Sequence, residues 1–299
     1  MSKKILAVYY SQSGQLSEIV EHFITPFTEA GMSVEVIRVS MELEFSFPWT
    51  SERFFDVMPE SVLAIPSALR NFKPQESKYD LIVFAYQPWY LSPSIPATSI
   101  LCNEIFKQLL PNTPVVTLIG ARNMWLNAQE KVKASLTANG AKHVANISLT
   151  DENNNFVSAI TILHWMLSGR KDKFLGIFPK PGISEPAILN TSNYGKLIVE
   201  SVLKNDFNSL QEKLVAVNAV SVKSNLMFIE ARAGKLFSIW AKLIIKKKNR
   251  RLWLILFKYY LFIALFLIAP IVLTVYMLIF KPFLRGQIEK RKRYYLGLR

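Results

Sequence analysis

The sequence predicts a doubly wound parallel α/β sheet that continues into a helical C-terminal membrane anchor. Over residues 1–150, short apolar runs alternate with helical periodicity, as when parallel strands are covered on both faces by their crossover helices. Polar turns, several with glycine, separate these runs and punctuate the βα units. Near the C-terminus, Tyr259 to Phe280 form 22 residues without a charge. As a helix that stretch spans about 33 Å at ~1.5 Å per residue, enough to cross a bilayer core.

The first strand is the apolar run KILAVYY at 4–10, followed by a polar turn with Gly14 and a helical pattern over 16–30 that closes at Gly31. SVEVIRV at 33–39 alternates with period two and makes the second strand. Residues 41–78 interrupt the alternation. Phe45, Phe47, Pro48, Trp49, Phe54, Phe55, Met58 and Pro59 make this insertion too apolar for a solvated loop. It is either a flap packed on the body or a lid over a hydrophobic substrate. The third strand is 81–86, a helix follows at 97–110, and the fourth strand is PVVTLI at 114–119. A helix over 124–138 stops at Asn139-Gly140, and 143–149 is the fifth strand. Residues 151–234 carry three further helical patterns and extend the body.

Charge divides the chain. The net charge is +14, and residues 235–299 carry all of it, with 15 basic residues against one acid, Glu289. A nucleic-acid coat would spread basic residues over the folded body, so nucleic acid is not an expected partner; an anionic membrane surface is. Leu236, Ile239, Trp240, Leu243 and Ile244 have helical spacing with a basic opposite face, the pattern of an interfacial helix leading into the anchor. Lys246, Lys247, Lys248, Arg250 and Arg251 precede the apolar segment, and Lys281, Arg285, Lys290, Arg291, Lys292, Arg293 and Arg299 follow it. A straight span would put one cluster on the far side, against the positive-inside tendency. Pro270 sits mid-segment and can kink a helix, so a bent or re-entrant segment stays open as the alternative. The apolar run after Met1-Ser2-Lys3-Lys4 is too short for a signal-peptide core, which places the body at the cytoplasmic face of the inner membrane.

One cysteine excludes an intramolecular disulfide framework and a multi-cysteine zinc site, and the three histidines show no HExxH spacing, so no metal site is expected. Cys102 falls in an apolar helical pattern and is expected to be an inert buried thiol. His22 is expected at the surface, with His143 and His164 as satisfied core or edge residues.

Chemistry concentrates in three strand-to-helix turns. Ser11, Gln12, Ser13, Gly14, Gln15 and Leu16 place hydroxyls and a glycine at a helix N-terminus, where unpaired N–H groups and the helix dipole attract an anion. Without a Walker lysine or GxGxxG spacing, a monophosphate suits this turn better than a triphosphate or dinucleotide. Gln87, Pro88, Trp89, Tyr90 and Leu91 follow the third strand, and Gly120, Arg122, Asn123, Met124 and Trp125 follow the fourth. In an open α/β sheet all three turns lie at the ligand-binding end.

YYSQSGQLSEIV resembles the phosphate loop of flavodoxin-like proteins, in which a hydroxyl-rich turn cradles the phosphate of FMN. Leu16 departs from that pattern, since a hydroxyl residue is usual there, and Ser17 or a backbone amide would have to serve. DLIVFAYQPWYLSPSIPATSI resembles the flavin loop of the quinone-reductase branch. The resemblance implies a flavodoxin-like fold over 1–150, FMN as cofactor, and flavin contacts from the residues named in all three turns. Together with the insertion, FFDVMPESVL and the basic tail, these motifs look most like the dialkylresorcinol-condensing (aromatase) family of bacterial pigment pathways. That likeness implies oxidation of a dialkyl cyclohexanedione to a dialkylresorcinol and a ketosynthase partner; Tyr90 is the candidate catalytic residue for positioning or proton transfer, with simple packing on the flavin as its alternative role. A membrane-bound NAD(P)H:quinone reductase and a non-enzymatic electron carrier or scaffold remain alternatives, and homodimerisation is expected by analogy. The tail of 235–299 is expected to stand apart from the site, so that truncation after Gly234 leaves a folded body that binds flavin.

Overall fold

The computed structural model describes residues 2–70 and 72–298. Arg299 of the second basic cluster lies outside the described residues, as do Met1 and Asn71. The apolar runs form β1 (Lys4–Tyr9), β2 (Ser33–Arg38) and β3 (Leu81–Tyr86), then a two-stranded ribbon of β4 (Pro88–Trp89) and β5 (Ser92–Pro93), then β6 (Pro114–Ala121) and β7 (Lys142–Thr150). Five of these strands build one parallel sheet in the order β2-β1-β3-β6-β7. Among sheet strands in chain order this is 2-1-3-4-5, the flavodoxin-like arrangement, with its topological switch point between β1 and β3.

Period-two alternation sends neighbouring residues of β1 to opposite cores. Leu6 and Val8 join Phe84 and Ile119 under α4 (Ile95–Cys102), α5 (Glu104–Leu109) and α6 (Leu126–Ala138). Ile5 and Ala7 join Val83 and Leu118 under α1 (Gln15–Glu29), α9 (Thr191–Lys204) and α10 (Leu210–Ala216). The insertion folds into α2 (Ser51–Asp56) and α3 (Met58–Leu63), and α7 (Asn155–Ser168), α8 (Glu185–Leu189) and α11 (Ser224–Ile244) complete the body.

The helix predicted over 97–110 is two helices. Asn103 is extended, and its side chain accepts from the Phe106 N–H at 3.1 Å, capping α5 and ending α4. This break leaves Cys102 exposed, which corrects the expected buried thiol.

His143 is built into a buried polar network. Its Nε2 lies 3.0 Å from Thr117 Oγ1 and 3.3 Å from Gln129 Nε2, and Tyr86 donates to Gln129 Oε1 at 2.8 Å. Burial, reinforced by Lys133, lowers the His143 pKa to about 4. An unfolded histidine titrates near 6.5, so between about 6.5 and 4 the unfolded chain binds the extra proton. The stabilisation is therefore present above pH 6.5 and lost as pH falls, by on the order of 3 kcal/mol in full. Urea midpoints at pH 7 and 4.5 should show a steeper fall for wild type than for His143→Gln; equal falls would show that His143 does not carry the dependence.

The apolar segment forms one helix, Arg250–Phe280, 31 residues long. It runs through Pro270 unbroken because a π-helical stretch, Ala264–Ile268, widens the preceding turn where the proline ring would meet a carbonyl. Both ends are held by the body. Arg250 pairs with Glu60 at 2.6 Å and Asp56 at 3.1 Å, tying the first turn to α2 and α3. At the far end Tyr276 stacks on Phe228 at 3.7 Å and Lys281 donates to Asn225 Oδ1 at 3.3 Å. Trp240 meets Phe257 while Phe228 meets Tyr276, so the long helix lies antiparallel along α11. The C-terminal helix Arg285–Tyr295 returns to the body, where Tyr294 donates to Glu130 at 2.6 Å. Ala241, Ile244 and Phe257 share a third core with Phe55, Met58 and Val62 of the insertion. The tail is thus packed into the fold rather than standing apart from it, which corrects that expectation.

Candidate functional site

The turns after β1, β3 and β6 converge on one cavity of about 670 Å³ at the carboxyl ends of the strands, within the ~300–1,000 Å³ usual for ligand sites. Gln12, Ser13, Gln15 and Leu16 line it from the first turn, Gln87 to Leu91 from the second, and Gly120, Arg122 and Met124 from the third. Trp49, Phe54 and Phe55 of the insertion, Trp165 and Met166 of α7, Arg232 and Phe237 of α11, and several residues of the long helix complete the walls.

In the first turn Gly14 has φ +90° and offers α1 no side-chain cap, so the Gln15 and Leu16 amides at the start of the helix receive none from it. Gly14 itself does not line the cavity, and Ser11 does not either: its Oγ accepts from the Ser17 N–H at 3.3 Å. Gln12 and Gln15 are partly spent on structure. The Gln12 amide donates to the carbonyls of Phe45 at 2.8 Å and Ser46 at 3.0 Å, holding the insertion. The Gln15 amide exchanges two 3.0 Å hydrogen bonds with the Ile183 backbone. Ser17 Oγ is buried with no hydrogen-bond partner among the described residues.

The second turn is the β4–β5 ribbon, closed by Tyr90 at φ 49° and Leu91 at φ 60°. Two consecutive positive φ values are the geometry of a tight hairpin turn that glycine or asparagine usually supplies. Each non-glycine residue there costs roughly 1–2 kcal/mol, which the surroundings must offset. Tyr90 supplies part of that offset, because its hydroxyl donates to the Phe54 carbonyl at 2.5 Å and its ring packs on Phe237 and Phe257. Burial drives the Tyr90 pKa well above 10, so the phenol stays protonated in neutral solution. The geometry gives Tyr90 a positioning role, with its proton committed to the insertion. Trp89 stands 5.1 Å from both Phe45 and Trp49. Gln87 Nε2 is buried and has no partner among the described residues.

In the third turn Arg122 lines the cavity and donates to the Asn155 carbonyl at 2.8 Å; burial lowers its pKa to about 10, countered by Asp151, so it remains a cation. Asn123 and Trp125, expected at the flavin, do not line this cavity. Asn123 donates to Asn155 Oδ1 at 2.7 Å, and Trp125 is buried in the first core where α6 begins. The chain turns into α6 at this point and carries both side chains away from the cavity.

FMN needs anion donors at one end, apolar walls, and a polar contact at the ring edge. The cavity has Gln15 and Leu16 of the first helical turn, walls of Trp89 and Met124, and the unpartnered Gln87 amide, while Ser17 does not line it. These residues fit the group. Leu16 is buried beside Gly120, where a Cβ would come within 3.3 Å of its Cδ1, so Leu16 seats the turn by packing.

No protein-family model and no curated protein matches the chain. Among solved structures, a flavoprotein in complex with FMN from Lactobacillus acidophilus NCFM is similar at 17% identity, over 49% of this chain and 93% of that one, with a TM-score of 0.41. A flavodoxin from the domain Archaea is 12% identical over 67% of this chain and 99% of its own, with a TM-score of 0.38. A flavone reductase is 14% identical over 68% and 64%, with a TM-score of 0.36. At these scores the fold assignment rests on the strand order itself.

Proposed function

We propose that this chain is a membrane-attached FMN-dependent oxidoreductase that aromatises a dialkyl cyclohexanedione to a dialkylresorcinol. The observation that carries the flavin is the buried, unpartnered Gln87 Nε2 in the wall of a largely apolar cavity at the switch point, with Gln15 and Leu16 of the α1 N-terminus lining the same cavity. A buried polar group without a partner is costly, and a ligand that supplies the acceptors removes the cost. Bound FMN supplies a two-electron acceptor, and aromatising the dione removes one hydride and one proton. Arg122 and Arg232 place positive charge on the walls, complementary to the acidic enol of a 1,3-dione. The apolar remainder, from Phe54 to the long helix, accommodates alkyl chains. Tyr90 holds the insertion over this space through Phe54.

Gly14→Leu tests the cofactor. A side chain larger than glycine is strained at φ +90°, so the turn should shift and the amides lose their register. Full-length protein purified in detergent should carry FMN near one per chain, and the variant should carry less than a tenth of that. Equal flavin content would place the phosphate elsewhere. Flavin reduction by a dialkyl cyclohexanedione under anaerobic conditions then supports the aromatase, whereas reduction by NAD(P)H followed by quinone turnover would favour the reductase.

A further inference from the structure

The long helix has two apolar faces with different surroundings. One face, including Leu261, Leu265 and Val272, lines the cavity. The other presents Leu256, Tyr259, Ile263, Leu267, Ile271, Val275 and Leu278 to the outside, at spacings of three or four residues along the whole helix. Leu267 is 62% exposed and Leu278 74% exposed, so neither is covered by the fold. Phe266 and Ile268 line the cavity and yet are 39% and 48% exposed, so the cavity wall meets the outer surface along this helix.

The ends of the helix decide its orientation. A helix that crosses a bilayer leaves its two ends on opposite sides, some 30 Å apart across hydrocarbon. Here Arg250 is salt-bridged to α3 at one end, and Lys281 is hydrogen-bonded to the start of α11 at the other. Lys246 to Lys248 and Arg251 flank one end of the stripe and Lys281 and Arg285 the other, so cations bracket it on a single body. An apolar stripe bracketed by cations matches acyl chains beneath anionic headgroups.

We infer that the long helix lies in the plane of an anionic membrane, its outer stripe in the acyl chains, and that a long-chain apolar ligand enters the cavity from the lipid along this helix. This rests on the proposed membrane attachment and replaces the spanning topology. It also removes the positive-inside conflict, because both basic clusters face the same headgroups.

Full-length, flavin-loaded protein in a Cys102→Ser background, labelled with bimane at Leu256→Cys, Leu267→Cys or Leu278→Cys, is mixed with vesicles containing anionic lipid and phospholipids brominated at known depths. The three labels should share one shallow depth, about 5–10 Å into the headgroup–acyl boundary. A deep Leu267 label with shallow ends would overturn the in-plane orientation while leaving attachment standing. Absence of quenching at all three would overturn the inference together with the attachment. Labels at Leu265→Cys and Val272→Cys face the cavity, and a brominated long-chain resorcinol dissolved in the vesicles should quench them saturably, with at least tenfold displacement by excess unbrominated compound. Quenching that neither saturates nor is displaced would overturn entry from the lipid.

Discussion

Cutting the chain after Gly234 is expected to abolish flavin binding and to give a poorly soluble product. The cut falls inside α11, which runs from Ser224 to Ile244, and it removes Ala241, Ile244 and Phe257 from the third core. Phe55, Met58 and Val62 of the insertion would then face water. Fully burying one large apolar side chain contributes about 1.5–3 kcal/mol, so losing this core costs on the order of 5 kcal/mol or more. That is comparable with the ~5–15 kcal/mol stability of a whole domain. The insertion carries Trp49, Phe54 and the Tyr90 acceptor, so the cavity loses its cover along with the tail. Phe257→Ala in the full chain separates packing from truncation, since a large core cavity alone costs about 3–5 kcal/mol. A truncated protein that purifies as a stable monomer with one FMN per chain would show that the tail is dispensable.

That contrast also marks what sequence can show. The five sheet strands were legible because each is an apolar run with its own punctuation, and period two assigns their faces without tertiary knowledge. The three turns were legible as a ligand end because the fold class alone places them together. The capping role of Asn103 was visible in principle, since a cap residue stood in the middle of an apolar helical pattern. Other features depend on contacts across long distances in the chain. Gln15 spends its amide on Ile183, 168 residues away, and Gln12 on Phe45, 33 away, so neither partnership has a local signature. The flavodoxin-like resemblance places Trp125 at the flavin, but the direction taken by a side chain at a helix start is set by packing. The apolar length of the long helix showed only that it could cross a membrane. Its contacts with α11 and α3, which oppose crossing, appear only in three dimensions.

Gly195→Ala is expected to be among the most damaging single substitutions in the protein, although it adds one methyl group. Gly195 sits in α9 where it crosses α1, and a Cβ there would fall 2.3 Å from the Phe23 carbonyl oxygen and 3.3 Å from Pro26 Cγ. The obstacle is backbone, so no rotamer change relieves it, and α9 would have to move off α1. Overpacking a tight core costs about 1–3 kcal/mol, and a backbone clash lies at or above the top of that range. The effect should reach the site, because α1 carries the Gly14 turn at its N-terminus and Thr191 of α9 donates to the Ile19 carbonyl of α1 at 3.4 Å. Flavin occupancy should therefore fall with the urea midpoint, although Gly195 does not line the cavity. Gly286→Ala is the control, since a Cβ at that helical position meets nothing within 4 Å. It should leave flavin content unchanged and raise stability by less than about 1 kcal/mol, through the lower chain entropy of alanine. If the two variants unfold at the same urea concentration, the α1–α9 contact is looser than the structure shows, and the seating of the Gly14 turn cannot depend on it.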